Sequence, residues 1–270
     1  MASTVTPHED MDPSPRVDVF IDDADLDGST VTVTVHQISV AGDIEVRNMV
    51  RVASVGGFAA TDYEVPLGVP VTYRVAQYDS GGAELGFALE LTTQVDIESG
   101  FAVLSDPLAP GIAVKVYALA TFGGELRRPR ATRTYRAGLR TVALMEMQSL
   151  LQDVPLHCET ASLDDADKLE DVLAAGQFLV RVMPSSRLPA ILHVVAPDPR
   201  QKPIDVQFGG ELIEWQISGE EVSRPVVDII VPVLNYQMLT DYVAQFGGTY
   251  ADMQTLWSTY LDILLNPPTD

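Results

Sequence analysis

Cys158 is the only cysteine of this 270-residue chain, and His157 stands beside it. A thiolate and an imidazole within hydrogen-bond reach would form a nucleophile and its base, but neighbours on a strand point to opposite faces and cannot pair directly. His8, His36 and His193 remain as partners that the fold could bring near. The competing reading of Cys158 is a small buried apolar residue. Serine hydrolysis would need a nucleophile on a sharp elbow such as G-x-S-x-G, and the chain has none. A metal enzyme would want histidines and acids at set spacing, whereas the four histidines are scattered, with no H-x-H or H-x-x-x-H. Glu211 with Glu214, or Glu220 with Glu221, could serve glycoside hydrolysis only if the fold set two carboxylates across a cleft; solvated charge is the plainer reading. Asp22-Asp23-Ala24-Asp25-Leu26-Asp27-Gly28 imitates a calcium loop, yet a loop starting at Asp23 needs an acid at its twelfth position, where Thr34 stands. That segment reads as an acidic hairpin turn. Phosphate-cradling patterns, G-x-x-x-x-G-K-[ST] or a strand-coupled G-x-G-x-x-G, do not occur. The residues nominate no catalytic, cofactor-binding or metal-ligating set, so no enzyme and no cofactor is expected.

Binding chemistry is better represented. Arg127, Arg128, Arg130, Arg133, Arg136 and Arg140 fall within one short segment of a chain that has Lys+Arg 17 against Asp+Glu 38. They read either as a solvated strand pair or as an interface, in which guanidiniums make bidentate pairs with the carboxylates of identical acidic subunits. Arg127, Arg128, Arg130, Arg133 and Arg136 are the interface candidates. Near the end of the chain Tyr250, Met253, Leu256, Trp257, Tyr260, Leu261 and Leu264 recur at helical spacing. This stripe docks either on its own domain or on a neighbour, with Trp257 and Tyr260 as its contact candidates.

The formal charge of -21 sets up a field that repels polyphosphates and anionic headgroups, so nucleic acid and membrane surface are poor partners. No apolar run approaches the ~18 residues that cross a bilayer, and membrane insertion is not expected. The opening residues, Met1 to Arg16, lack a positive start and an apolar stretch, so no export signal is read there. Synthesis in a reducing cytoplasm fits the single cysteine.

The elements that must position these residues are mostly strands. Val17, Val19 and Ile21 alternate with polar residues, as do Val31, Val33 and Val35, then Val71, Tyr73 and Val75, then Phe87, Leu89 and Leu91. Asp79-Ser80-Gly81-Gly82 turns the last two into a hairpin. Asp106-Pro107-Leu108-Ala109-Pro110-Gly111 is the linker candidate, because two prolines and a glycine in six residues stop any strand. Ser162 with Asp165 three residues on resembles a capping box and predicts a short helix over 162–175; Thr249 with Asp252 predicts a C-terminal helix over 249–265. The expected fold is mainly β: a flexible N-terminal arm at 1–15, a first β-sandwich of fibronectin type III or immunoglobulin kind at 16–108, a second β-sandwich at 109–238, and a helical segment at 239–270.

Asp62 to Tyr73, DYEVPLGVPVTY, followed by the turn at Gly81-Gly82, resembles the first sandwich domain of minor tail proteins from long-tailed phages of actinobacteria. Asp106-Pro107 opening a second domain, Trp215 followed by a strand and Arg224-Pro225, and the closing helix Thr249-Tyr250-Ala251-Asp252 with Trp257 are similar to that family's layout. The resemblance implies a structural protein of the virion, at the tail tip or baseplate, present in several copies, contacting itself and other tail proteins and lacking a cofactor. The alternative expectation is a receptor-binding module that grips a host cell-wall glycan through exposed aromatics such as Trp215 and Trp257.

Overall fold

The computed structural model describes residues 2–130, 132–137, 140–145, 149–184, 186–204 and 209–225; for 132–137 and 140–145 it describes the backbone alone. All of these lie in the first of two compact units, Met1–Ile229, and the second unit, Ile230–Asp270, lies outside the described residues. The helix expected at 249–265, with Trp257 and Tyr260, falls there. The described fold is mainly β, as the alternation implied, with one α-helix among the described residues.

The first body contains β1 (Thr4–His8), β2 (Arg16–Ile21), β3 (Thr32–Ser39), β4 (Gly42–Glu45), β5 (Val52–Ala53), β6 (Phe58–Asp62), β7 (Val71–Tyr78) and β8 (Glu84–Thr93). β1-β2-β6 form a three-stranded sheet, and β4-β3-β7-β8 a second sheet to which β5 adds by pairing with β3. Every pairing is antiparallel. The period of two sends Val17, Val19 and Ile21 of β2 and Val33 and Val35 of β3 into one core with Val71, Tyr73 and Val75 of β7. Two sheets sharing a core in this way make a β-sandwich.

The N-terminal residues, expected as a flexible arm, belong to this sandwich. β1 pairs with β2 from Thr4↔Phe20 to His8↔Arg16, Val5 and Met11 pack against the core, and Ser14 is fully buried. Pro7 is tolerated because β1 is an edge strand, where one row of backbone donors has no ladder to supply. The acidic segment after β2 is not a hairpin turn, because β2 and β3 lie in different sheets; it carries the chain from one sheet to the other through a 3-10 segment at Asp23–Asp25, capped by the Asp22 carboxylate accepting from the Ala24 amide.

The second body contains β9 (Phe101–Ser105), β10 (Ala113–Ala118), β13 (Val154–Pro155), β14 (Cys158–Thr160), the helix α1 (Leu163–Ala174), β15 (Gln177–Val182), β16 (Ile191–Val195), β17 (Arg200–Pro203), β18 (Ile213–Gln216) and β19 (Ser218–Glu221). The intervening β11 (Thr132–Ala137) and β12 (Arg140–Met145) form a separate two-stranded ribbon. The register shows how the large sheet turns its corner. Val154↔Gly219, the Leu156 amide on the Ile217 carbonyl, Cys158↔Trp215 and Thr160↔Ile213 are steps of one ladder, so β13–β14 and β19–β18 are two continuous, bent strands. One end of this bent pair joins β16 and the other joins β10, and β16-β15-β9-β10 complete the circuit. The sheet is thus closed into one ring of hydrogen bonds, with β17 left at an edge beside β18. Val154, Leu156, Cys158, Ile213, Trp215 and Ile217 all point inward, and α1 lays Ala166, Leu169 and Val172 on the same core.

Ser162 caps α1 as its spacing suggested: its hydroxyl accepts from the Asp165 amide at 3.1 Å. The linker assignment at 106–111 is corrected. β9, which precedes that segment, already pairs with β10 and β15, and Asp106–Gly111 closes the β9–β10 hairpin, the Asp106 amide donating to the Ile112 carbonyl at 2.9 Å. The prolines do interrupt a ladder, but at a turn where the chain returns to its own sheet. The passage between bodies lies before Phe101.

Candidate functional site

The groups that could do chemistry are engaged structurally. Cys158 is fully buried in the second core, and burial pushes its thiol up to about 12, far from a thiolate nucleophile. His157 points the other way, its Nδ1 3.0 Å from the Thr121 hydroxyl. His36 lies 3.1 Å from Asp43, and His8 2.9 Å from Asp18. In the acidic turn, Asp25 accepts from the amide and hydroxyl of Ser3, 22 residues earlier, and Asp27 from the amide and hydroxyl of Ser29, so instead of converging one carboxylate holds the N-terminal segment and the other closes a local turn. Glu221 accepts from the Leu151 amide at 2.7 Å. A shallow cleft of about 260 Å3 brings Asp153, His157, Asp198 and Glu220 to one rim, but Asp153 pairs with Arg127 at 3.2 Å and Asp198 with Arg200 at 2.8 Å. Trp215, a stacking candidate for glycans, is 2% exposed, and its indole donates to the Thr160 hydroxyl at 3.2 Å. It offers no face to a ligand.

The most unusual chemistry is buried between the bodies. β9 and β15 present Leu104 and Val180 to the second core, while Val103 and Arg181, which are register partners, occupy the opposite face; Val103 joins the first core. Arg181 is fully buried. Its Nη1 donates to the Pro15 carbonyl at 2.7 Å and its Nη2 to the Ser14 hydroxyl, so the segment leading into β2 is tied to β15. Burial pushes its pKa down to about 10, with Asp62 opposing. Asp62, at the end of β6, accepts from Gln37 Nε2 and the Tyr73 hydroxyl, both at 2.8 Å, and from the Glu64 amide at 2.9 Å. Burial raises its pKa to about 6 despite those donors.

Glu64 is the hub. Arg47 Nη2 reaches its Oε1 at 2.7 Å, Arg224 Nε its Oε2 at 2.7 Å, and His193 Nε2 lies 3.9 Å from Oε1. Burial alone would raise this carboxyl, but the Arg224 and Arg47 guanidiniums prevail and hold it below its ordinary value. Arg224 also donates to the Glu45 carbonyl, and Arg47 to the Pro225 carbonyl, each at 2.9 Å. Arg47, from the same body as Glu64, and Arg224, which crosses from beyond β19 of the other, therefore meet on one carboxylate. Burial depresses His193 on β16 to about 4, so it is neutral at pH 7. With three guanidiniums against two carboxylates, this arrangement can anchor two sheets.

The arginine segment lies elsewhere. Arg127 bridges Gln152, and Arg128 Nη2 lies 3.9 Å from Glu221 Oε2; Arg127, Arg128 and Arg130 are exposed. Arg133 and Arg136 sit on β11 and Arg140 opens β12, at register positions opposite Leu144, Thr141 and Ala137. Local patterns did not reveal the junction residues. The one signal was Arg181 itself, a charge within the apolar run Phe178 to Val182. No protein-family model, curated protein or solved structure matches the chain.

Proposed function

We propose that this chain is a structural minor tail protein of a long-tailed phage, assembling at the distal tail tip or baseplate and holding neighbouring tail proteins through its outer surfaces. The observation that carries this reading is the buried junction. Glu64, held between Arg47 and Arg224, and Arg181, tied to Ser14 and Pro15, fasten one sheet body to the other, with Asp62 and His193 buried beside them instead of facing a cleft. Two β bodies tied through buried ionic contacts suit a load-bearing position, where relative movement of domains would loosen an assembly. The DYEVPLGVPVTY resemblance supplies the virion setting, and the clustered arginines on an acidic chain supply a surface for subunit contact.

The test is localisation. Purified virions, digested and analysed by mass spectrometry, should contain this chain, and antibody labelling viewed by electron microscopy should decorate the tail end distal to the capsid. Absence of the chain from purified particles would overturn the proposal.

A further inference from the structure

We propose that the arginine-bearing ribbon β11–β12 docks onto the acidic surface of a second copy of this chain. The inference deepens the tail-protein reading by naming the partner of its arginine segment.

Three observations carry it. First, β11 and β12 hydrogen-bond only to each other among the described strands, from Thr132↔Met145 to Ala137↔Arg140. Six residues of strand reach about 20 Å, and a lone two-stranded hairpin is marginal in water without a further surface.

Second, the ribbon's base is anchored. Leu126 and Leu151 belong to or pack on the second core, the Gln152 amide donates to the Arg127 carbonyl at 2.9 Å, and the Ser149 amide to the Pro129 carbonyl at 3.0 Å. An element held at its root presents itself with less ordering cost on binding than a loose tail.

Third, the charge is segregated. Residues 127–140 contain six arginines and no Asp or Glu; set against the net -21 of the whole chain, they leave -27 on the remainder. The base already shows the pairing chemistry, since Arg127 and Arg128 lie against Asp153 and Glu221 of their own chain. A remainder so negative repels a phosphate polymer and attracts the basic ribbon of an identical molecule. Because ribbon and acidic surface are different parts of the chain, the contact is heterologous and can propagate into a ring or a stack.

The experiment uses the full chain. Native mass spectrometry and analytical ultracentrifugation at tens of micromolar in low salt should show oligomers, and raising NaCl from about 0.1 to about 0.5 M should weaken association by at least about tenfold. The triple variant Arg133→Glu, Arg136→Glu, Arg140→Glu should be monomeric by itself, with an unchanged circular dichroism spectrum. It should still bind wild type, because its acidic surface remains an acceptor for the wild-type ribbon. A monomeric wild type, or a triple variant that self-associates like wild type, overturns the inference. So does binding of wild type to heparin or DNA that the triple variant loses while neither protein self-associates, since the partner is then a polyanion. A monomer that is nonetheless found in virions sinks this inference and leaves the tail-protein reading standing.

Discussion

His193 and Asp62 are shifted in opposite directions by the same burial, and their effects on stability oppose each other. His193 has its folded pKa at about 4, below the ordinary 6.5. Below pH 6.5 the unfolded chain takes up a proton that the native site refuses, so its contribution is complete above 6.5 and is lost as pH falls towards 4. Asp62 has its folded pKa at about 6, above the ordinary 3.8. The native carboxyl takes its proton first as pH falls through about 6, so acidification relieves a penalty that is full at neutral pH. Each gap corresponds to at most about 3 kcal/mol. Urea titrations between pH 7 and 4 should therefore show His193→Gln losing about 2 kcal/mol less stability than wild type, and Asp62→Asn about 2 kcal/mol more. Equal pH slopes in the three proteins would contradict the assignment of these burial effects.

At the scale of elements, the bent ladder of β13–β14 with β18–β19 depends on a glycine at its tightest approach. A Cβ on Gly219 would collide with Cγ1 of Val194, a buried β-branched side chain that has little room to turn. Gly219→Ala should cost about 1–3 kcal/mol by overpacking, and Val194→Ala in the same chain should restore part of it. Chemical denaturation of the two single variants and the double variant measures that coupling; strictly additive losses would count against the contact. The elements also mark how far local pattern reaches. The inward alternation of Val71, Tyr73 and Val75 was legible because a half-buried strand has period two, and Ser162 was legible because capping is settled within one turn. The hairpin at 106–111 was misplaced because proline and glycine report that a ladder stops, not whether the chain then leaves or returns. The edge strand β1 was missed because Pro7 and the acids around it look like an arm until β2 is seen beside them.

For the molecule as a whole, the decisive contacts join residues far apart in sequence: Arg224 to Glu64 across 160 positions, and Arg181 to the Pro15 carbonyl across 166. No window of sequence contains such a pair, which is why the junction was invisible to periodicity. Its energetic role follows from burial. Glu64 has a side chain 4% exposed between two arginines, and breaking a buried pair by removing one partner leaves charge without compensation. Glu64→Gln should cost about 3–5 kcal/mol and, more tellingly, should separate the unfolding of the two bodies. Cys158 reports on the second body because it is the chain's only thiol and lies fully buried in that core. In wild type, thiol labelling during a urea series should follow the loss of circular dichroism in one transition, since neither body can leave the other without exposing Arg181, Asp62 and Glu64. In Glu64→Gln the two signals should part, with one body unfolding at lower urea. Coincident transitions in the variant, together with a loss below about 1 kcal/mol, would mean that apolar contacts such as Val103 in the first core join the bodies without the ionic hub.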